Sequence, residues 1–242
     1  VPLDSVYSGV VSLRGLRLVL FLAELNNLNT YATDIGNAYL EAETKEKVCI
    51  VAGKEFGPLE GHLLIIRKAL YGLRTSGLRW HDKFSDCLRD LGFIPSKAEP
   101  DIWMRLNEEH NIYEYVAVYV DDLAIAMKGC DEFITTLKEK YKFKLKGTGP
   151  IGHHLGADFM RDQDGTLNMS PKKCITKCMA SSCLSMFGEK PKGRPRSPLE
   201  SGDNPELDTS EFLEEKDTRI YQSLIGQAQW VIQLGRFEIN VH

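Results

Sequence analysis

Two adjacent aspartates, Asp121 and Asp122, interrupt an otherwise apolar stretch of the chain. Residues 115–120 run Tyr-Val-Ala-Val-Tyr-Val before them, and residues 123–127 run Leu-Ala-Ile-Ala-Met after them. Each run suits a β-strand and is too short to span a bilayer. The unit reads as two strands flanking a carboxylate pair. Two like charges at ~4 Å repel by ~1 kcal/mol in water and ~4 kcal/mol at an intermediate dielectric. In strands central to a sheet, a neutralising cation explains the pair best. Mg²⁺ takes one or two carboxylates together with substrate phosphates. On the dipeptide alone the stronger reading is a solvent-exposed hairpin turn, where aspartate is common.

A lone carboxylate changes the balance. Asp34 lies at the end of an apolar strand expected over residues 30–35, followed by Gly36, Asn37, Ala38, Tyr39 and Leu40. Two-metal phosphoryl transfer needs carboxylates from separate elements converging on ions ~3.5–4 Å apart. Asp34 with the Asp121–Asp122 pair supplies that set, and we expect Asp34 and Asp121 to meet at the sheet's edge. Tyr39, on the turn leaving the strand, could pack under a sugar ring and exclude a 2′-hydroxyl, or anchor that turn as a core aromatic.

The rest of the chain fits an α+β fold with a mainly antiparallel sheet. Helical spacing predicts helices over 14–26, 75–91, 131–141 and 221–234, with Asp131 an N-cap candidate. Strands are expected over 47–51, 63–66, 101–106, 113–120 and 123–127, and a hairpin over 155–161 and 166–169. Ser170-Pro171 opens a further helix, with Pro at its first position. Residues 189–218 read as a linker or surface loop.

The net charge of −4 hides blocks. Residues 128–198 hold fourteen basic against seven acidic residues, and residues 199–219 hold two against eight. A polyanionic partner is therefore not excluded. Over 140–146 lysine alternates strictly with Tyr141, Phe143 and Leu145. That reads as a strand with a cationic ridge, facing either a phosphate backbone or plain solvent. The six cysteines are too few for a disulfide scaffold, so a reducing compartment is expected. Cys49 and Cys87 read as small core residues. Cys174, Cys178 and Cys183, with His153 and His154 upstream, fit no familiar zinc spacing and read as a helix with scattered thiols. The chain opens Val1-Pro2-Leu3-Asp4 without an initiator Met or a signal peptide, which suggests an excised piece of a longer protein.

Five blocks in order give the chain a resemblance. They are Ala32–Leu40 (Ala-Thr-Asp-Ile-Gly-Asn-Ala-Tyr-Leu), Lys68–Arg74 (Lys-Ala-Leu-Tyr-Gly-Leu-Arg) with Trp80, Tyr119-Val120-Asp121-Asp122, Leu155–Phe159 (Leu-Gly-Ala-Asp-Phe), and Tyr221–Gly226 (Tyr-Gln-Ser-Leu-Ile-Gly). In these the chain resembles the copia-type long-terminal-repeat retrotransposon reverse transcriptases, from about residue 5 to residue 237. Arg17 falls where that family carries an arginine.

The resemblance implies a right-hand polymerase fold, an antiparallel palm sheet with helices packed on one face. Residues 5–170 would be partial fingers and palm. Residues 171–188 and 219–242 would begin the thumb or connecting helices. Asp34, Asp121 and Asp122 look like the catalytic, metal-binding carboxylates for two Mg²⁺ or Mn²⁺ ions. Tyr39 looks like the gate that selects deoxynucleotides, and Ile35, Arg74 and Lys146 fall with it to nucleotide binding, Lys146 near the leaving pyrophosphate. Leu155, Gly156 and Phe159 look like the primer grip. Implied partners are an RNA or DNA template with primer, a dNTP, and the RNase H and integrase of a Pol polyprotein. No membrane is implied, and the place is intracellular, in a cytoplasmic particle or the nucleus. The chain departs from the family at Thr75, where a glutamine is usual, and lacks the upstream fingers strands. Rival readings are a non-catalytic or decayed nucleic-acid-binding remnant, and a carboxylate metal site of another chemistry such as a hydrolase.

Overall fold

A computed structural model describes residue 6, residues 8–189, residue 207 and residues 209–237. Two units are present, Val1–His154 and Leu155–His242.

In chain order the first unit holds α1 (Leu13–Leu25), β1 (Asn29–Ile35), the short α2 (Ala38–Glu41), β2 (Cys49–Val51), a 3₁₀ turn (Lys54–Leu59), β3 (Leu63–Ile65) and α3 (Ser76–Asp90). There follow β4 (Ile94–Pro95), β5 (Ile102–Asn107), β6 (Ile112–Tyr119), β7 (Asp122–Met127), α4 (Cys130–Glu139), β8 (Leu145–Pro150) and β9 (His153–His154). Six strands form one sheet in the order β4-β5-β6-β7-β1-β8. Every pairing in it is antiparallel, as expected. β2 and β3 form a separate antiparallel ribbon.

β6 and β7 sit in the middle of this sheet and are apolar at successive positions, so both their faces need cover. Val116, Val118, Leu123, Ile125 and Met127 enter one buried cluster with Trp80, Phe84 and Leu88 of α3 and Phe133, Ile134 and Leu137 of α4. The alternate residues Ala117, Ala124 and Ala126 are also buried. That face is met by α1, which contacts β6, β7 and β1 and buries Leu16, Val19, Leu20 and Ala23. Small side chains there let the helix lie close. Helices therefore cover both faces, where one was expected. Ser12 caps α1, its Oγ accepting from the Gly15 N–H at 3.0 Å.

Several expectations are corrected. Residues 140–144 are not strand; Lys142 takes a left-handed φ of 60° and the ladder begins only at Leu145. Gly129, not Asp131, is the N-cap of α4, with Asp131 in its first turn. Cys49 is exposed rather than a core residue, while Cys87 is buried.

The second unit contains β10 (Ala157–Arg161), β11 (Leu167–Ser170), α5 (Lys172–Phe187) and α6 (Glu215–Gln233). β10 and β11 form the expected hairpin, closed by the Asp162 N–H donating to the Thr166 carbonyl at 3.0 Å. α5 packs on β10 and α6, and Pro171 caps it rather than opening its first turn. α6 starts at Glu215, so residues 215–218 are helical rather than linker. Most of the expected linker, and the side chains of Cys178 and Cys183, lie outside the described residues.

Candidate active site

Asp34 is the next-to-last residue of β1, and Asp122 is the first of β7. The two are direct partners in the antiparallel register. Tyr119 pairs with Asp122 across the hairpin, which leaves Val120 and Asp121 as its two-residue loop. The sheet itself thus brings the three aspartates together. They meet at strand ends inside the sheet, not at its edge, because β8 flanks β1.

Val120 has a φ of 57°. A two-residue hairpin favours positive φ at its first loop position, which glycine normally fills. A β-branched residue there costs about 1–3 kcal/mol. Two hydrogen bonds hold the turn. The Trp80 indole Nε1–H donates to the Val120 carbonyl at 2.7 Å, and the Ile35 N–H donates to the Asp121 carbonyl at 2.8 Å.

The electrostatics record the convergence. Burial pushes the Asp121 carboxyl above its ordinary pKa, and the charge of Asp34 adds to this against the pull of Lys146. Burial also raises Asp122, helped by Asp121 and Asp34 and opposed by His153. Tyr71 is raised as well, by desolvation first and then by Asp121, Tyr39 and Asp34. Asp121 and Asp122 thus stand in the field of neighbouring carboxylates, which disfavours their ionisation.

The expected nucleotide-binding residues take unequal positions. Tyr39 is half-buried on α2, reached through Asn37 in the left-handed region at φ 58°. Its ring lies 4.6 Å from that of Tyr71, tilted by 40°. Lys146 sits on β8 opposite Asp34. Its stem runs beside Gly36, where an added Cβ would come within 2.9 Å of the Lys146 Cε. Ile35 is 0% exposed and lies in the core, so its side chain offers no surface to a nucleotide. Arg74 is exposed in the turn before α3. The neighbouring Thr75 hydroxyl is buried without a hydrogen bond. Leu155, Gly156 and Phe159 belong to the second unit. Leu155 and Gly156 both take positive φ as the chain enters β10, and Phe159 is buried.

Two features were not foreseen from the residues. Tyr71 appears in the sequence only as an aromatic before a glycine, and nothing in that spacing ties it to Asp34 or Asp121. His153 stands out in the sequence only as a neighbour of the cysteines, yet its charge pulls the Asp122 pKa down against the burial that raises it. Among the described residues, no three carboxylate, imidazole or thiolate groups are arranged to hold a metal ion by themselves.

Residues 1–189 match the family model described as reverse transcriptase (RNA-dependent DNA polymerase). The chain is similar to a protein of transposon Ty5-1 of Saccharomyces cerevisiae, 27% identical over 71% of this chain and 53% of that one. It is 26% identical to the retrovirus-related Pol polyprotein from transposon TNT 1-94 of Nicotiana tabacum, over 81% of this chain and 15% of the polyprotein. It is also 26% identical to the transposon Ty1-DR1 Gag-Pol polyprotein of Saccharomyces cerevisiae, over 98% of this chain and 14% of the polyprotein. The chain thus spans about half of the first relative and a small part of the polyproteins. These matches bear out the resemblance to copia-type retrotransposon reverse transcriptases.

Proposed function

The chain belongs to the reverse transcriptase (RNA-dependent DNA polymerase) family, and from that premise we propose that it is the partial fingers and palm, with the start of a thumb, of a retrotransposon RNA-directed DNA polymerase. The observation that carries the reading is the meeting of Asp34 with Asp121 and Asp122 at the paired ends of β1 and β7. Bound cations would relieve the repulsion among carboxylates brought together at one turn. The donor set is all hard oxygen, which suits Mg²⁺ or Mn²⁺.

Asp34, Asp121 and Asp122 would hold two such ions. When bound, the ions would lower the pKa of the primer 3′-hydroxyl and stabilise charge on the triphosphate. The chain's own part is to place and to select. Lys146, beside the acids and exposed, is positioned to meet the leaving pyrophosphate. Tyr39, backed by Tyr71, presents an aromatic wall where a ribose 2′-hydroxyl would collide. Leu155, Gly156 and Phe159 would grip the primer. Template, primer and dNTP are the partners this reading requires, together with the other Pol domains.

The test is primer extension on a poly-RNA template with Mg²⁺ or Mn²⁺, by a chain to which the upstream fingers strands have been restored. Wild type should extend, and Asp121→Asn should fall by roughly a thousandfold, the loss expected from removing one group that stabilises developing charge. Nucleic-acid binding without extension by wild type would sink the catalytic reading and leave the non-catalytic remnant.

A further inference from the structure

We infer that Trp80 is a positioning residue for the carboxylate-bearing turn, its indole N–H holding the Val120 carbonyl and thereby fixing where Asp121 stands. The consequence for catalysis rests on the polymerase reading above.

The turn needs a tether. Val120 occupies a backbone region that β-branched residues avoid, so its own preference works against the observed loop. Asp121 also stands among like charges that favour relaxation outward. Trp80 is well suited to oppose both. It is 2% exposed, stacked on Phe84 with centroids 5.4 Å apart, and met edge-on by Phe143 at 5.7 Å. A ring packed on two sides has no room to swing, so its 2.7 Å hydrogen bond is fixed by the core. Without the N–H, the Val120 carbonyl would lose this partner.

The tether also has a direction. Trp80 is carried by α3, which opens directly after the segment bearing Tyr71. The Ser76 hydroxyl, in the first turn of α3, donates back to the Leu70 carbonyl at 2.5 Å. One helix therefore fixes both the acid turn and the end of the segment that brings Tyr71 beside it.

Trp80→Ala would empty the core, so the informative replacement is Trp80→β-(3-benzothienyl)alanine, which keeps the bicyclic shape and removes only the donor. Amide hydrogen exchange over residues 119–123 should quicken roughly three- to tenfold, the worth of one net hydrogen bond, while residues 112–116 at the far end of the hairpin stay unchanged. In Mg²⁺-dependent primer extension, kcat should fall roughly ten- to hundredfold with KM for primer–template held, as small misplacements of a reacting group do. Val120→Gly in the same background should recover most of kcat, since glycine takes positive φ freely. Exchange that is unchanged at the turn, or equally raised at both ends of the hairpin, overturns the tether. So does a failure of Val120→Gly to recover kcat. If wild type with the upstream fingers strands restored shows no extension, the polymerase reading falls, and the exchange comparison still decides the role of Trp80.

Discussion

Asp121 and Asp122 hold their protons more tightly in the folded chain than unfolded, because burial and neighbouring carboxylates raise both. A raised carboxyl pKa stabilises the fold below the unfolded value, and that stability is lost as pH rises through the folded value. In chelator at neutral pH, Asp121→Asn should therefore melt higher than wild type, by about 2–4 °C, the shift that ~1 kcal/mol makes at this length. The gap should close on acidification, followed by circular dichroism. Adding Mg²⁺ should raise the wild-type Tm more than that of the variant, by mass action on the folded state. Equal shifts would remove the case for a cation there. Tyr39 gives a second residue-level expectation. Tyr39→Ala should admit ribonucleotides, a change of ~2–4 kcal/mol or roughly thirty- to a thousandfold in the dNTP to rNTP ratio of kcat/KM. Tyr39→Phe should change little, because the ring excludes and the phenol oxygen does not. An unchanged ratio for the alanine variant would make Tyr39 only the ring that packs on Tyr71. At this scale the acids were legible because their cost demanded a reason. Ile35 follows Asp34 in one strand, so its side chain takes the opposite face, the core face, and only the resemblance had set it with the nucleotide.

At the level of elements, β5 and β6 are joined by a charge pair between a half-buried arginine and a buried glutamate. Arg105 and Glu114 are register partners, with Arg105 Nη2 2.7 Å from the Glu114 carboxylate, which is 2% exposed. Burial pushes the Glu114 pKa up, but hydrogen bonds from Arg105, Asn107 and the Lys128 N–H overcome it and leave the pKa lowered. Stability from this group is present above its unfolded pKa and lost as pH falls through the folded value. Arg105→Ala should remove one of the three partners of this carboxylate at a cost of ~1–3 kcal/mol, read as a lower urea midpoint. A midpoint within error of wild type would mean that water reaches Glu114 and replaces the arginine. The strands of this hairpin were legible because their apolar runs and pleat agree. The lysine ridge was not, for a physical reason. Tyr141 and Phe143 do turn inward and Lys140, Lys142 and Lys144 do turn outward, yet the backbone is loop. Alternation reports which side chains are buried; it does not report which amides pair. β8, by contrast, holds Gly147, Gly149 and Pro150 and has no apolar pattern, and its register comes from β1.

The whole molecule carries −4, so attraction to a polyanion has to be local. In the part of the basic sequence block that lies beside the strand bearing Lys146, Lys142 and Lys144 are exposed. Sequence alone left this ridge between a phosphate-facing surface and a solvated one, because charge patterning fixes sign and not partner. Salt separates the two. Each phosphate contact releases counterions and adds about −0.9 to the slope of log K against log salt. Binding of a primer–template duplex, followed by fluorescence anisotropy across a salt series, should weaken linearly on that plot. Replacing Lys142 and Lys144 together with Ala should make the slope shallower by about 2, uniformly across template sequences, since backbone contacts do not read bases. Helices and sheet do not rest on either side chain, so the Tm should hold. A slope that stays at the wild-type value would assign the ridge to solvent, and the phosphate contacts would then have to come from other basic residues of the chain.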